Sequence, residues 1–180
     1  MIVGIIIFGI ISLIVLSKYN SLVKMKNKVK QSQSGIDVYL NQRFDLIPNL
    51  VECVKGYSKH EKNIFENIVK LRNEYMSNKK TDLKKAEELN NNINKIIAVA
   101  ENYPELKSSE QYLNLQKNLS KIESQLQAAR RIYNNEVTKY NTKIATVPTN
   151  IVANIFRFKE ADLFTIEEYK KENIQINLGE

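Results

Sequence analysis

The sequence predicts an all-α protein in which an N-terminal transmembrane helix continues into an antiparallel up-and-down bundle of three to four long helices. The first sixteen residues, Met1 to Leu16, carry no charge. After them, apolar residues recur at alternating steps of three and four, which is the period of a helix with one buried face. The chain has only five glycines, and no stretch alternates apolar and polar residues as a half-buried strand would.

The N-terminal segment predicts a membrane anchor over residues 1–17. Twelve of its first sixteen residues are Ile, Leu, Val or Phe, which together favour insertion by about 4 to 7 kcal/mol. The run is shorter than the roughly 17 to 25 residues that usually span a bilayer, so it requires a thin bilayer, local thinning or interfacial support from Tyr19. A cleaved secretory signal is the alternative, but the run has no basic residues before it and Leu16-Ser17-Lys18 after it.

The charges that follow the anchor predict its orientation. The next five charged residues are all lysines: Lys18, Lys24, Lys26, Lys28 and Lys30. Positive charge on the C-terminal side of a helix places that side in the cytoplasm and the N-terminus outside. At the helical rise the last of these lysines is about 18 Å beyond the first, farther than the screening length of about 8 Å. The lysines therefore indicate the membrane topology of the chain rather than electrostatic binding to lipid headgroups.

The same lysines account for most of the basic balance of the chain. They supply five of its +7 formal net charge and leave +2 for all the other residues. A net charge this small does not indicate a nucleic-acid-binding surface. Cys53 is the single cysteine, so no internal disulfide can form, as expected in a reducing compartment.

The first long helical run extends over residues 22–75. Its seam positions are Leu22, Lys26, Val29, Gln33, Ile36, Leu40, Arg43, Ile47, Leu50, Val54, Tyr57, Glu61, Ile64, Ile68, Leu71 and Tyr75. Pro48 interrupts this run, because an interior proline removes a hydrogen bond and kinks or ends a helix. The spacing is the same on both sides of Pro48, so one kinked helix and two separate helices both remain open.

Two more helical runs follow. Thr81 is the expected N-cap of a helix with apolar positions from Leu83 to Ala100. Pro104 interrupts the pattern, and the third run extends from Tyr112 to Val147. Its spacing changes after Tyr133, and such a stutter marks residues 130–137 as unusual.

The C-terminal part has an apolar stretch at residues 151–158, which we expect to form a short helix that docks on the bundle. If the third run returns to the bilayer, Phe156, Phe158 and Phe164 would instead dip into the membrane surface. The tail past Asn173 is expected to be poorly ordered.

Several charged residues fall on or beside the apolar seams. Arg43 and Glu61 lie on the first seam, where a charge is costly unless it is paired. They are about 27 Å apart along one helix, so their partners must come from another helix or another copy. Glu123 and Arg130 lie beside the third seam. Because the arginine fork pairs bidentately, Arg43, Arg72 and Arg130 are candidates for a buried polar network that fixes the helix register or, alternatively, for a ligand or partner site.

Asp45 stands just before the proline of the first run. It is a candidate N-cap for a helix that starts near Leu46, provided that Pro48 lies in the first turn of that helix. The alternative is an exposed carboxylate beside Arg43.

Three Tyr-Asn pairs occur in the chain, Tyr19-Asn20, Tyr133-Asn134 and Tyr140-Asn141. The last two are seven residues apart and therefore lie along one helical stripe. We expect the tyrosine rings to pack inward with their hydroxyls hydrogen-bonded at the edge. The alternative is a contact strip for another subunit.

The sequence offers no catalytic constellation. Cys53 and His60 are each unique and lie seven residues apart, but a thiol and an imidazole without an orienting group are a weak signal. The chain has no glycine-rich phosphate loop, no HExxH or CxxC motif and no Glu-x-x-His pair. We therefore expect no enzyme activity, no cofactor and no metal.

These motifs, in this order, resemble the signature of the LemA family over about residues 18–158. The matching segments are Tyr19-Asn20, residues 43–51 with Arg43, Asp45, Pro48 and Asn49, then Gly56-Tyr57, His60-Glu61, residues 101–106, Ala129-Arg130, Tyr133-Asn134 and Tyr140-Asn141. The resemblance implies a bacterial protein with a single N-terminal transmembrane helix and a cytoplasmic helical bundle. Most members have no assigned biochemistry, and one branch is associated with magnetosome membranes.

Together the pattern and the resemblance predict three parts: a transmembrane anchor at 1–17, a LemA-like bundle at 18–158 and a partly disordered C-terminal segment and tail at 159–180. The expected function is that of a non-enzymatic scaffold in the bacterial inner membrane that self-associates and organises or shapes the inner face of that membrane. The alternative is an adaptor that holds a membrane enzyme or a regulatory partner. The expected partners are the lipid bilayer, further copies of the chain and, in the alternative, another membrane protein.

Overall fold

The computed structural model describes residues 1–58, 62–77 and 83–164, and within these ranges every regular element is a helix. The helices are α1 (Ile2–Asp45), α2 (Ile47–Lys55), α3 (Lys62–Ser77), α4 (Leu83–Glu101), α5 (Pro104–Lys107), α6 (Glu110–Ala145) and α7 (Thr149–Ile155). The all-α class is therefore confirmed, while the antiparallel order of the helices stays a prediction. Glu61, His60, Thr81 and the tail past Asn173 lie outside the described residues.

The chain divides into two compact units. One unit, which we call the anchor unit, consists of residues 1–30 and 130–180, and the other, the core unit, consists of residues 31–129. Helices α1 and α6 each contribute residues to both units.

The anchor unit begins with the apolar part of α1. Its most apolar window has a mean hydropathy of 2.4 with none of its residues buried, and the helix is long and apolar enough to cross a membrane. Farther along, Val29, Val137 and Tyr140 form a small core. Phe158 and Ala161 pack against that core from the C-terminal segment.

The short helix α7 confirms the expectation for the C-terminal apolar stretch. Val152 and Ala153 are buried. At its end the backbone N–H of Phe158 donates to the carbonyl of Ala153 at 2.9 Å, and that of Arg157 donates to Asn154 at 3.2 Å. This is the Schellman pattern of a helix end, and Arg157, with a φ of 56°, occupies the left-handed position that usually takes glycine.

The core unit is built on mutual packing of α2, α3 and α4. Most seam positions of the first run in this unit are buried, namely Ile36, Leu40, Arg43, Ile47, Leu50, Val54, Ile68 and Tyr75. Tyr57 is an exception and is 42% exposed. Helix α2 ends at Lys55, two residues before Tyr57, so the helical spacing no longer applies there. Phe65 is buried instead of its seam neighbour Ile64.

The structure resolves the choice at Pro48 in favour of two helices. Helix α1 ends at Asp45, and α2 starts at Ile47 with Pro48 in its first turn. The single residue between them, Leu46, keeps near-helical dihedral angles, φ −82° and ψ −12°. The capping interpretation of Asp45 is wrong, because Leu46 holds the N-cap position and no side chain donates or accepts a capping hydrogen bond there.

Candidate functional site

The two Tyr-Asn pairs of α6 bind the extended segment that follows α7. We call residues 159–164 the strap. The Asn141 side chain donates from Nδ2 to the carbonyl of Ala161 at 2.8 Å and accepts from the Ala161 N–H at 3.0 Å. Asn134 does the same with Phe164, at 2.9 and 2.8 Å. Each carboxamide thus satisfies both polar backbone groups of one strap residue, as a neighbouring strand would.

The tyrosine hydroxyls add a second row of contacts. Tyr140 donates to the carbonyl of Lys159 at 3.0 Å, and Tyr133 donates to the carbonyl of Asp162 at 2.9 Å. Both tyrosines pack their rings on the anchor-unit core and keep their hydroxyls at its edge.

The two rows are in register because two repeats have matching lengths. Seven residues of α-helix rise about 10.5 Å, and three residues of extended chain advance about 10 Å. The strap runs opposite to α6, so a step of seven along the helix meets a step of three along the strap, both for the tyrosines and for the asparagines.

All six of these hydrogen bonds engage main-chain atoms of the strap, so they place few demands on its sequence. One side chain is held separately, because the Arg130 guanidinium lies 4.7 Å from the ring centroid of Phe164 in a cation–π contact. We call the set of Arg130, Tyr133, Asn134, Tyr140 and Asn141 the strap clamp.

Burial raises the pKa of both clamp tyrosines. Desolvation raises the pKa of Tyr133, and the nearby carboxylate of Asp162 raises this pKa further. Desolvation also raises the pKa of Tyr140. Both hydroxyls therefore remain hydrogen-bond donors across the physiological pH range.

An aromatic cluster fixes the chain between α7 and the strap. The ring of Tyr19 on α1 lies 4.7 Å from that of Phe156 and 5.8 Å from that of Phe158, measured between centroids. The ammonium group of Lys26 lies 5.8 Å from the Phe158 centroid. Tyr19 of the first Tyr-Asn pair thus contacts the segment that leads into the strap, which the other two pairs bind.

In the core unit, Arg72 sits at the proline break. Pro48 has no N–H to donate to the carbonyl of Phe44, four residues earlier. The Arg72 Nε donates to that carbonyl at 3.0 Å instead, and its Nη2 donates to Asp45 at 2.9 Å. The arginine therefore ties α3 to the junction between α1 and α2, and this is the role that the structure gives to Asp45.

Arg43 finds its partner on another helix, as a charge on the seam requires. It is 8% exposed and forms a salt bridge with Glu123 of α6. Arg72 makes its contacts at the proline break of the core unit, and Arg130 contacts Phe164 in the anchor unit. A buried network that joins the three arginines stays a prediction. Asn49 and Pro48 are exposed.

A groove of about 910 Å³ lies between α2 and α3 of the core unit. Val51, Phe65 and Val69 contribute apolar surface to it. Charged side chains stand around them, namely Lys55, Lys62, Glu66, Lys70 and Glu74. Cys53 does not line this groove, and burial and Glu52 raise the pKa of its thiol.

The sequence pattern did not identify the strap as the ligand of the Tyr-Asn pairs. The strap offers backbone groups, which every residue has, so its side chains carry no signal. The only trace in the sequence is the seven-residue repeat of Tyr-Asn, which indicates two equivalent contacts without naming their partner. The burial of Phe44 was also not predicted, because this residue lies beside the seam. Its ring packs against that of Tyr75 next to the proline break.

An exposed apolar helix that leads into helices and a helix-bound C-terminal strap define a membrane-associated helical protein. The model of the LemA family matches residues 32–178, and the chain belongs to that family.

The relatives agree with this assignment. The chain is 27% identical over 171 residues to Protein LemA of Metamycoplasma hominis, covering 93% of this chain and 75% of that protein. It is 25% identical over 177 residues to Magnetosome protein MamQ 2 of Paramagnetospirillum magneticum and 23% identical to Magnetosome protein MamQ of Magnetospirillum gryphiswaldense. The chain spans 65% of the length of each of these two magnetosome proteins.

Proposed function

We propose that this protein is a non-enzymatic scaffold that is anchored in the bacterial inner membrane by one helix and self-associates to organise or shape the inner face of that membrane. The observation that carries the proposal is α1, whose apolar N-terminal part is uncovered and continues without interruption as far as Asp45. The lysines that follow the apolar part favour an outside N-terminus and a cytoplasmic helical body.

The relatives support the membrane-organising part of the proposal. Two of them carry the name magnetosome protein. Their similarity to this chain supports a role at a membrane for this protein as well. The strap clamp supports a structural role as well, because its groups hold the chain's own backbone in place.

Chemical crosslinking of the full-length protein in native membranes tests self-association. We expect a ladder of homo-oligomers. A variant that lacks residues 2–17 serves as the control and should lose the ladder at equal protein level, if the membrane concentrates and orients the chains. A full-length protein that is recovered as monomer only, and as a small uniform particle when imaged in detergent, would contradict the scaffold.

The groove between α2 and α3 favours a second candidate, an adaptor that holds one membrane enzyme or regulatory partner. Its apolar surface with charged side chains around it is the kind of site that binds an amphipathic segment of another protein. A photocrosslinking residue at Val69 should then give one discrete heteromeric band. The same residue at Leu113, which is 51% exposed on α6, serves as the control and should give none.

A further inference from the structure

Helix α7 and its flanks expose an apolar surface. Val152 and Ala153 are buried on one side of the helix. On the other side of the helix Ile151 and Ile155 are 57% and 65% exposed, and the flanking residues Val147 and Phe156 are 76% and 48% exposed. We call these four residues the α7 patch. Apolar surface of this kind on a short helix marks a contact with a partner or a membrane.

The position of the patch along the chain's membrane helix is fixed by Tyr19. Tyr19 follows Leu16, the last residue of the apolar run, by three residues, or about 4.5 Å of helix. The interfacial layer of a bilayer is roughly 5 to 7 Å deep on each side. The ring of Phe156 is 4.7 Å from that of Tyr19. A bilayer that covers the apolar part of α1 therefore places Phe156 at headgroup depth, where aromatic rings are enriched.

The surroundings of the patch suit a membrane surface. Arg157 and Lys159 lie one and three residues after Phe156 and are exposed, so positive charge stands beside the apolar side chains, with the exposed Glu160 after it. Arg157 holds this charge in a left-handed conformation, φ 56°, that glycine would adopt at lower cost. The strap begins at Lys159, three residues after Phe156, and the hydrogen bond from Tyr140 to the Lys159 carbonyl holds the chain on α6 close to the patch.

We propose that the α7 patch is a second membrane contact, with the bilayer surface as its occupant: Ile151, Ile155 and Phe156 enter the interface beside the anchor helix while Arg157 and Lys159 face lipid headgroups. The proposal rests on the proposed membrane anchoring. Its basis is the continuity of the patch with the apolar part of α1 through the Tyr19 and Phe156 contact. The contact gives the protein two attachments to one leaflet, so the segment after α6 is held at the membrane and cannot swing freely about the anchor.

The absence of tryptophan from the chain allows a direct test with full-length protein in lipid vesicles. Phe156→Trp and Ile155→Trp each place one fluorophore in the patch. Ile132→Trp is the matched control, because Ile132 is 58% exposed on α6 and lies about 20 Å before the end of that helix at Ala145. Each variant is reconstituted with lipids brominated at a shallow or a deep acyl position, and vesicle flotation is measured on the same samples.

We expect all three variants to float with the vesicles. The patch tryptophans should show a blue-shifted emission and lose more intensity with shallow than with deep bromines, while Trp at position 132 should keep its intensity with both. Variants that float but show no quenching at positions 155 and 156 would overturn the second contact and leave the anchoring intact. Variants that fail to float would overturn the anchoring itself, and the second contact with it.

Discussion

At the scale of single residues, Arg72 supplies the hydrogen bond that Pro48 cannot give to the carbonyl of Phe44. Proline leaves the carbonyl of Phe44 without its helical donor, and the arginine of α3 supplies a donor from 28 residues away. The same guanidinium also reaches Asp45, but that carboxylate side chain is 61% exposed and such a pair contributes little. The bond to the carbonyl is therefore the important one.

We predict that Arg72→Lys lowers the free energy of unfolding by about 1 to 2 kcal/mol, because an ammonium group cannot donate to the carbonyl and the carboxylate with the geometry of the fork. For a chain of this size each kcal/mol shifts the melting temperature by roughly 2 to 4 °C. Thermal melting in detergent, followed by circular dichroism, measures the shift. Arg131→Lys, at an exposed position of α6, is the control and should change little.

The double variant with Pro48→Ala tests the mechanism. Alanine at position 48 supplies an N–H for the Phe44 carbonyl, so Arg72→Lys should cost less in that background than in the native one. An equal cost in both backgrounds would show that Arg72 stabilises the junction through some contact other than this carbonyl.

The clamp tyrosines carry the pH dependence of the strap. Because burial raises the pKa of Tyr133 and Tyr140 above that of an unfolded tyrosine, near 10, their contribution is complete below that pH and is lost as the pH rises through the raised pKa. We predict that an ultraviolet titration of tyrosinate shows Tyr140→Phe lacking one late-titrating group. A Tyr140→Phe variant that lacks an early group would contradict the raised pKa.

At the scale of elements, the strap depends on α6 for its hydrogen bonds. We predict that Asn134→Ala or Asn141→Ala, which removes two hydrogen bonds worth about 1 kcal/mol each in net terms, raises the fraction of released strap about tenfold or more. Limited trypsin digestion with mass spectrometry should show faster cleavage after Lys159. Asn135→Ala, at the exposed neighbouring position, should leave the rate unchanged. Equal rates in all variants would mean that the asparagines do not hold the strap.

The end of α7 makes a second prediction at this scale. Arg157 adopts a left-handed conformation, which costs an ordinary residue about 1 kcal/mol and glycine almost nothing. Arg157→Gly should therefore raise the melting temperature. Arg157→Ala removes the same charge but keeps the backbone strain, so this variant should not have a higher melting temperature. A similar melting temperature for the two variants would indicate that the strain at this helix end is negligible.

The helices were more predictable than their partners. The three-four spacing identified the all-α class, the break at Pro104 and the burial of Leu40, Leu50 and Ile68, because burial of one helix face leaves a periodic mark. Contacts to the backbone leave no such pattern. The sequence therefore did not predict the binding of the strap to α6 or the hydrogen bond from Arg72 to the Phe44 carbonyl. The capping assignment of Asp45 failed because a remote arginine, rather than the local backbone, offered the better partner.

At the scale of the whole molecule, five lysines on one side of the apolar segment predict the orientation in the membrane. Lys18, Lys24, Lys26, Lys28 and Lys30 occupy the turns just after it. Retention of this positive flank in the cytoplasm determines which end crosses the bilayer. We therefore predict that the residues after the anchor are cytoplasmic, and that replacing all five lysines by glutamine gives a mixed orientation.

A single cysteine reports the orientation. The native thiol of Cys53 is a poor reporter, since it is half-buried and its pKa is raised. Cys53→Ser combined with Val38→Cys moves the reporter to a position that is 51% exposed. An impermeant maleimide should label it only after the cells are permeabilised, whereas the glutamine variant should be labelled in part in intact cells. Complete labelling of the parent variant in intact cells would place the helical body outside. A glutamine variant that keeps the parental pattern would show that something other than the lysines, such as the folding of the helical body before insertion, determines the topology.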